Sequence, residues 1–498
     1  MSGVPHVSNW LSGAYVSSSA ERIPVVNPAN EQIIATIDAT TQDAVHQIVR
    51  DSVSTFKSGL WACADAPERY AVLSKAATLL RARIPEFVEL ETRQTGRPIR
   101  EMRAQLARVP EWLEYFASLA RVHEGRVTPF KGPVINTLTR LPLGVVAQIT
   151  PWNHPLLIAM KKIAAALATG NVVIVKPSEL APLSVLRMGE IFKEAGLPDG
   201  VLQIISGYGR ETGKFLCESP LLAKIDLTGG ISTYRAIAPI AALNMVPMTA
   251  ELGGKAPVCL FPSLEVEQAV KAALFASFIA SGQTCVTGSR LLVHKDIYDD
   301  FMQLLERRVK ELRLGDPKDA RTQIGAVINK ASVERCSAFV ERARNDGGTV
   351  VCGGQPATIE GKGFFFEPTI IETHAGADLA CNEVFGPVIA VVKCDSEDEI
   401  IRIANDDTPY ALGASVWTND FNQAHRVAAK IEAGIVWVNG HHLNDPSSPW
   451  GGFKESGVGK ENGQEAFESY TKLKSTVINY GVQPTWFDPE IAEGARYG

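Results

Sequence analysis

The chain has 498 residues, 45% of them hydrophobic and 21% charged, with a formal net charge of −6. That length exceeds what one hydrophobic core supports, and the composition excludes a largely disordered chain, so two to four packed domains are expected. A mildly acidic chain without a dense Lys/Arg tract also lacks the electrostatic footprint of a nucleic-acid or anionic-membrane binder.

The first ten residues contain neither the cationic nor the apolar region of a secretory signal, and no apolar run reaches the roughly 20 residues of a spanning helix. The eight cysteines are dispersed without a C-x-x-C pair, which points to reduced thiols in the cytoplasm and away from a structural zinc site. His441 and His442 are adjacent; on a strand they would face opposite ways, so no metal is expected there.

In chain order, 121–141 reads as two strand-like runs around Pro129, Lys131 and Gly132, a hairpin set into the first lobe. From about 140 to 260, β-branched runs at 145–149, 172–175, 201–205 and 224–227 alternate with helical stretches at 156–168, 183–195 and near Glu211. Such alternation predicts a parallel sheet with right-handed crossovers, with Gly170, Gly196 and Gly200 where helices stop.

A second block follows: a strand at 256–260, a helix at 266–281, a strand at 290–293, a helix at 297–312, and further signals to Asn439. The fold class is therefore α/β, with two doubly wound open-sheet lobes and a hinge near 251–255, where Gly253 and Gly254 would permit unusual backbone angles. The run 472–480 is strand-like, and it and the exposed hairpin edge are expected to pair with another subunit.

Chemistry centres on Phe278-Ile-Ala-Ser-Gly-Gln-Thr-Cys-Val-Thr-Gly-Ser-Arg290. A cysteine just after a helix, in a Gly- and Thr-rich turn, exposes its sulfur while nearby backbone N–H groups stay free for an oxyanion. A single cysteine is more often an inert buried thiol; the neighbouring motifs reverse that reading. They are Pro151-Trp-Asn-His-Pro155, Val173-Ile-Val-Lys-Pro-Ser-Glu179, Thr249-Ala-Glu-Leu-Gly-Gly-Lys255, Asn382-Glu-Val-Phe-Gly-Pro387 and Pro449-Trp-Gly-Gly-Phe-Lys-Glu-Ser-Gly457.

In order and approximate spacing these segments closely resemble the aldehyde dehydrogenase superfamily, over nearly the whole chain. The resemblance implies a Rossmann-like NAD-binding domain at 1–120 and 142–252, a catalytic domain at 253–455, and a small β oligomerisation element from 121–141 and 456–498, in a homodimer or homotetramer. It implies Cys285 as nucleophile, Asn153 as oxyanion donor, Glu251 as general base and Lys162 as a further catalytic-site lysine.

For the cofactor it implies Lys176 and Glu179 at the adenosine ribose, Glu383 at the nicotinamide ribose and Phe385 beside the ring. Ile149, Thr150, Trp152, Ser178, Gly209, Thr228, Gly229, Gly230, Ser232 and Leu252 complete that set. A carboxylate at Glu179 would repel a 2′-phosphate, so NAD is favoured over NADP, which stays open. The stretch from Gly207 to Gly213 imitates a dinucleotide fingerprint with one residue too many before its last glycine.

The chain departs from the family at Leu227-Thr-Gly-Gly-Ile-Ser-Thr-Tyr234, where Gly230 lacks a phosphate-binding hydroxyl and Tyr234 replaces a glycine. Weaker cofactor binding is one expected consequence, and Ser232 or Thr233 are candidate substitutes. Lys161, Ile279 and Trp450, with His154, His442 and Asn444, are expected to line the substrate tunnel. Lys161 there points to polar or anionic aldehydes, against the alternative of a solvent-facing helix lysine. A non-catalytic scaffold and a cofactor-independent thiol esterase are the competing functions.

Overall fold

The computed structural model describes residues 3–481 except 18 and 20; the part of the C-terminal segment at 482–498 lies outside them. The first lobe is built on an eight-stranded sheet in the order Gly457–Val458, Met248–Glu251, Lys224–Thr228, Val145–Thr150, Val172–Pro177, Leu202–Ile204, Asn9–Leu11, Ala14–Val16. Its five middle strands are parallel and the flanking ones antiparallel. Strands Val145–Thr150, Val172–Pro177 and Lys224–Thr228 are buried throughout, which is why they read as continuous β-branched runs.

The chain steps outward from Val145–Thr150 through Val172–Pro177 to Leu202–Ile204, then returns to place Lys224–Thr228 on the other side of its starting strand. Strand order thus reverses beside Thr150, and open α/β sheets bind ligands outside the carboxyl ends of their strands at such a point. Helix Pro155–Ala168 follows directly, and all its residues are buried, Lys161 and Lys162 included.

The second lobe has seven strands, ordered Thr349–Cys352, Thr369–Glu372, Val388–Cys394, Arg290–His294, Pro257–Leu260, Gly413–Trp417, Ile435–Val438. All neighbours are parallel except the first pair. Val258 and Leu260 pack on helices Val266–Phe278 and Lys295–Lys310, while Cys259 packs with helices Glu397–Asp406 and Phe421–Lys430 on the opposite face. Both lobes are doubly wound, as expected, and among the described residues no helix is long and apolar enough to cross a membrane.

Several local expectations are corrected. The helix expected to run to Ser281 ends at Phe278, because Ala280 (φ 54°) and Ser281 (φ 53°) adopt left-handed backbone. Tertiary contacts hold that turn: the Glu101 carboxylate accepts the Ala280 N–H at 3.1 Å, and Ser281 Oγ donates to the Gly325 carbonyl at 3.0 Å. The helix expected near Glu211 is a π turn, Gly209–Gly213, followed by the short helix Lys214–Cys217.

Gly170 and Gly196 do take left-handed angles (φ 86° and 99°), but Gly253 and Gly254 are absent from that group. What the hinge glycines supply is room: a Cβ on Gly254 would lie 2.1 Å from the Cys285 carbonyl oxygen, and one on Gly253 2.4 Å from Glu383 Oε2. The terminal strand is also satisfied within the chain. Thr471–Asn479 pairs antiparallel with Val134–Pro142 along its whole length, and Arg126–Thr128 completes a three-stranded sheet.

Candidate active site

A cavity of about 290 Å³ opens where the two lobes face each other. Trp152, Asn153, Thr228, Gly229, Gly230, Glu251 and Leu252, from strand ends of the first lobe, form one wall; Cys285, Arg335, Glu383 and Phe385 of the second form the other. These segments are remote in sequence, and all but Arg335, which lies within helix Lys330–Asn345, stand at or after the carboxyl end of a strand or helix.

Cys285 sits in a turn pinned from within. The Thr287 hydroxyl donates to the Thr284 carbonyl at 2.7 Å and accepts the Thr284 N–H at 3.3 Å. No acceptor among the described residues takes the Cys285 N–H. Asn153 Nδ2 donates to the Gln283 carbonyl at 2.9 Å, so the amide is held two residues before the cysteine with one N–H to spare. Those two N–H groups are preorganised donors beside the sulfur.

Burial raises the Cys285 thiol well above its ordinary value, and the nearby Glu251 carboxylate, which accepts its hydrogen, raises it further. Glu251 in turn is pushed up to about 7, chiefly by burial and then by repulsion from Glu461, against the lowering effect of Cys285 and Lys161. Trp450 Nε1 approaches Glu251 Oε1 at 3.4 Å. A carboxyl titrating near neutrality beside a thiol is suited to move protons in either direction.

Across the cavity, Glu383 accepts the Gly254 N–H at 3.0 Å, and burial lifts its carboxyl to about 7. Phe385, in left-handed backbone (φ 56°), meets Trp152 edge to face at 5.4 Å. Arg335 holds this loop by donating to the Val384 carbonyl at 2.7 Å and the Phe385 carbonyl at 3.2 Å.

A second group lies further along the sheet edge. Lys176 Nζ donates to Glu179 Oε2 at 3.1 Å, and Gly209 lies close enough that a Cβ would come 4.0 Å from that nitrogen. The Ser178 N–H is taken by the Thr150 carbonyl at 2.9 Å, which ties the two strand ends together. Gly230 caps helix Ile231–Leu243 without a side-chain bond, and the helix first donates inward at Thr233, to Gly230. The N–H groups of Ile231 and Ser232 therefore stay open, beside glycines where a Cβ would meet nothing nearer than 3.4 Å.

These residues fit a dinucleotide: an anion site at a helix N-terminus, a lysine–carboxylate pair for a ribose, and a second carboxylate facing the sulfur. The aldehyde dehydrogenase family model matches residues 15–476.

The chain belongs to the aldehyde dehydrogenase family.

Solved structures agree with that membership. A betaine aldehyde dehydrogenase of Staphylococcus aureus in complex with NAD+ is 35% identical, with 97% of each chain covered and a TM-score of 0.95. PnpE from Pseudomonas sp. WBC-3 is 36% identical over 97% of this chain and 99% of its own, with a TM-score of 0.93. An aldehyde dehydrogenase of Bacillus cereus in complex with NAD+ is 32% identical over 96% and 97%, also with a TM-score of 0.93.

Some expected site residues of this family member lie off the cavity wall. Lys162 is 1% exposed and sits behind the site, where its ammonium pairs with Asp226 and with Glu461 Oε1 (2.5 Å), which also accepts from the Thr228 hydroxyl at 2.9 Å. Ile149 is buried at its strand end, and Ser232 lies in the first turn of its helix. Tyr234 is half-buried and packs against the first-lobe core. His441 and His442 lie in a turn, not on a strand, and His441 bonds the Val286 carbonyl at 2.7 Å.

Lys161 is 5% exposed, so the solvent-facing alternative is overturned. Glu461, Asp226 and Arg335 escaped sequence reasoning. Glu461 is nearly 300 residues from Lys162, and no spacing pattern links residues at that separation. Lys162→Met is expected to destabilise the protein by about 3–5 kcal/mol in urea unfolding, because Asp226 and Glu461 would lose the one cation that hydrogen-bonds both among the described residues. Unchanged stability would mean that these carboxylates find other compensation.

Proposed function

We propose that the chain oxidises an aldehyde to a carboxylic acid with NAD as acceptor, using Cys285 as nucleophile. The observation that carries this reading is the convergence of Asn153 and Glu251 from the first lobe with Cys285, Glu383 and Phe385 from the second on one cavity. The NAD+ complexes of the Staphylococcus aureus and Bacillus cereus relatives support the choice of cofactor.

Glu251 accepts the thiol proton as Cys285 sulfur adds to the aldehyde carbon, and the Cys285 and Asn153 N–H groups stabilise the resulting oxyanion. Bound NAD supplies the two-electron acceptor for the hydride that leaves this thiohemiacetal. After passing that proton to solvent, Glu251 takes a proton from water as its oxygen attacks the thioester, and the carbon–sulfur bond breaks to release the acid and the Cys285 thiolate. Thr228–Gly230 and the open N–H groups of helix Ile231–Leu243 would hold the pyrophosphate, Lys176 and Glu179 the adenosine ribose, and Glu383 the nicotinamide ribose. The Glu179 carboxylate favours NAD over NADP.

Eight free cysteines support a reducing, cytoplasmic setting. Exposed apolar side chains on the three-stranded sheet, Val127, Val477 and Ile478 among them, support a homodimer or homotetramer built through that element. Absorbance at the NADH band with a panel of aldehydes tests the reading: NADH is expected only when aldehyde and NAD are both present. Thioester or ester hydrolysis without NADH would favour an esterase, and neither reaction would leave a scaffold.

A further inference from the structure

A second cavity of about 260 Å³ adjoins the far side of the Cys285 turn, with Arg97, Gln105, His154, Ile279, His442 and Asn444 among its walls. The two spaces share their partition: Asn153 faces one and His154 the other, and Thr284 Oγ1, next to Cys285, lies 3.3 Å from His442 Nε2.

His154 Nδ1 faces Arg97 Nη1 at 2.7 Å. A guanidinium can only donate, so Nδ1 is the acceptor and the ring hydrogen sits on Nε2. Burial, then the charges of Arg97 and Lys161, hold this ring well below its ordinary value, in the neutral form that tautomer requires. Nε2 is itself buried and meets no partner among the described residues. A buried N–H donor without an acceptor costs stability unless a ligand completes it.

Lys161 stands two turns further along the same helix face, after His154, Leu157 and Ile158. Its ammonium lies 4.4 Å from the Trp450 ring centroid and 3.7 Å from Glu461 Oε2, and no acceptor among the described residues is within hydrogen-bond reach. Glu461 is already engaged by Lys162 and Thr228. Lys161, Lys162 and Lys224 thus share Asp226 and Glu461, which leaves a positive excess whenever Glu251 holds its proton.

We propose that the aldehyde carries an anionic group, a carboxylate or comparable oxyanion, received by the Lys161 ammonium and the Nε2–H of His154. This rests on the aldehyde-oxidising reading above. It also separates the chain from the relative named for betaine aldehyde: a quaternary ammonium needs an aromatic face, and the Trp450 face is held by a like charge.

The test compares kcat/KM, read as NADH formation, for short ω-oxo acids, n-alkanals of matched length and a trimethylammonio aldehyde. The oxo acids are expected to lead the alkanals by roughly ten- to a hundred-fold, the worth of one or two charge-assisted hydrogen bonds, and the cationic aldehyde to be the poorest. Lys161→Met should shrink the oxo acid to alkanal ratio by about the same factor through the KM of the oxo acid, and Lys161→Arg should restore it in large part. An alkanal or cationic preference in the unaltered enzyme, or a ratio unmoved by Lys161→Met, overturns the anionic assignment alone. Absence of NADH with every aldehyde overturns the oxidoreductase reading and this assignment with it.

Discussion

Cys285→Ser is expected to lower NADH formation by on the order of 10⁴-fold at saturating aldehyde and NAD. Burial and Glu251 already raise the thiol well above its ordinary value, so its deprotonation depends on the neighbouring carboxylate. A serine hydroxyl is far less acidic still, and a carboxyl near 7 is too weak a base to ionise it. The exchange changes little else: the turn is held by Thr284 and Thr287, and Gly254 leaves room for the Cys285 carbonyl. NAD binding, followed by quenching of Trp152 in the cavity wall, should therefore persist. Single-turnover mixing distinguishes the outcomes, and a serine variant with near-normal turnover would remove Cys285 from the reaction.

Glu251→Gln should separate the two halves of the cycle. Its steady-state rate is expected to fall by about 10²–10⁴-fold, while a slowed burst of NADH approaching one equivalent per site remains, since acylation can proceed from residual thiolate but hydrolysis lacks its base. Glu251 is raised from 4.5 to about 7, first by burial and then by Glu461. Only the deprotonated form can draw a proton from water, so turnover of the unaltered enzyme should drop about ten-fold per unit below that value and level off above it. That acid limb should vanish in Glu251→Gln.

Linkage has the opposite sign. Between 4.5 and about 7 the folded protein retains a proton that the unfolded chain releases, so this carboxyl's contribution to stability declines as pH rises through that window. Activity and stability should therefore move in opposite directions there. A turnover profile flat down to pH 5, with no burst in Glu251→Gln, would leave the general-base role unsupported.

Both expectations depend on residues that local sequence made conspicuous. Strands expected at 145–149, 172–175 and 224–227 appear as Val145–Thr150, Val172–Pro177 and Lys224–Thr228, because burial on both faces selects an unbroken β-branched run. Cys285, Glu251, Asn153 and Glu383 stand in motifs at the ends of such elements, where side chains are free to face a crevice. The end of helix Val266–Phe278 was not legible in the same way: Ile-Ala-Ser-Gly continues a helical pattern, and only Glu101 and Gly325 turn it aside.

The sequence by itself determined the family, the alternation of strands and helices, and the residues able to perform acyl chemistry, since these rest on neighbours within a few positions. Tertiary structure alone decided that Gly253 and Gly254 serve close approach and not unusual angles, and that the terminal strand closes on its own hairpin. It also decided that Lys161 is buried against Trp450 and that Glu461 gathers Lys162 and Thr228. The physical reason is common to all four: steric clearance, strand pairing and charge compensation act through space, between segments whose separation along the chain leaves no periodic trace.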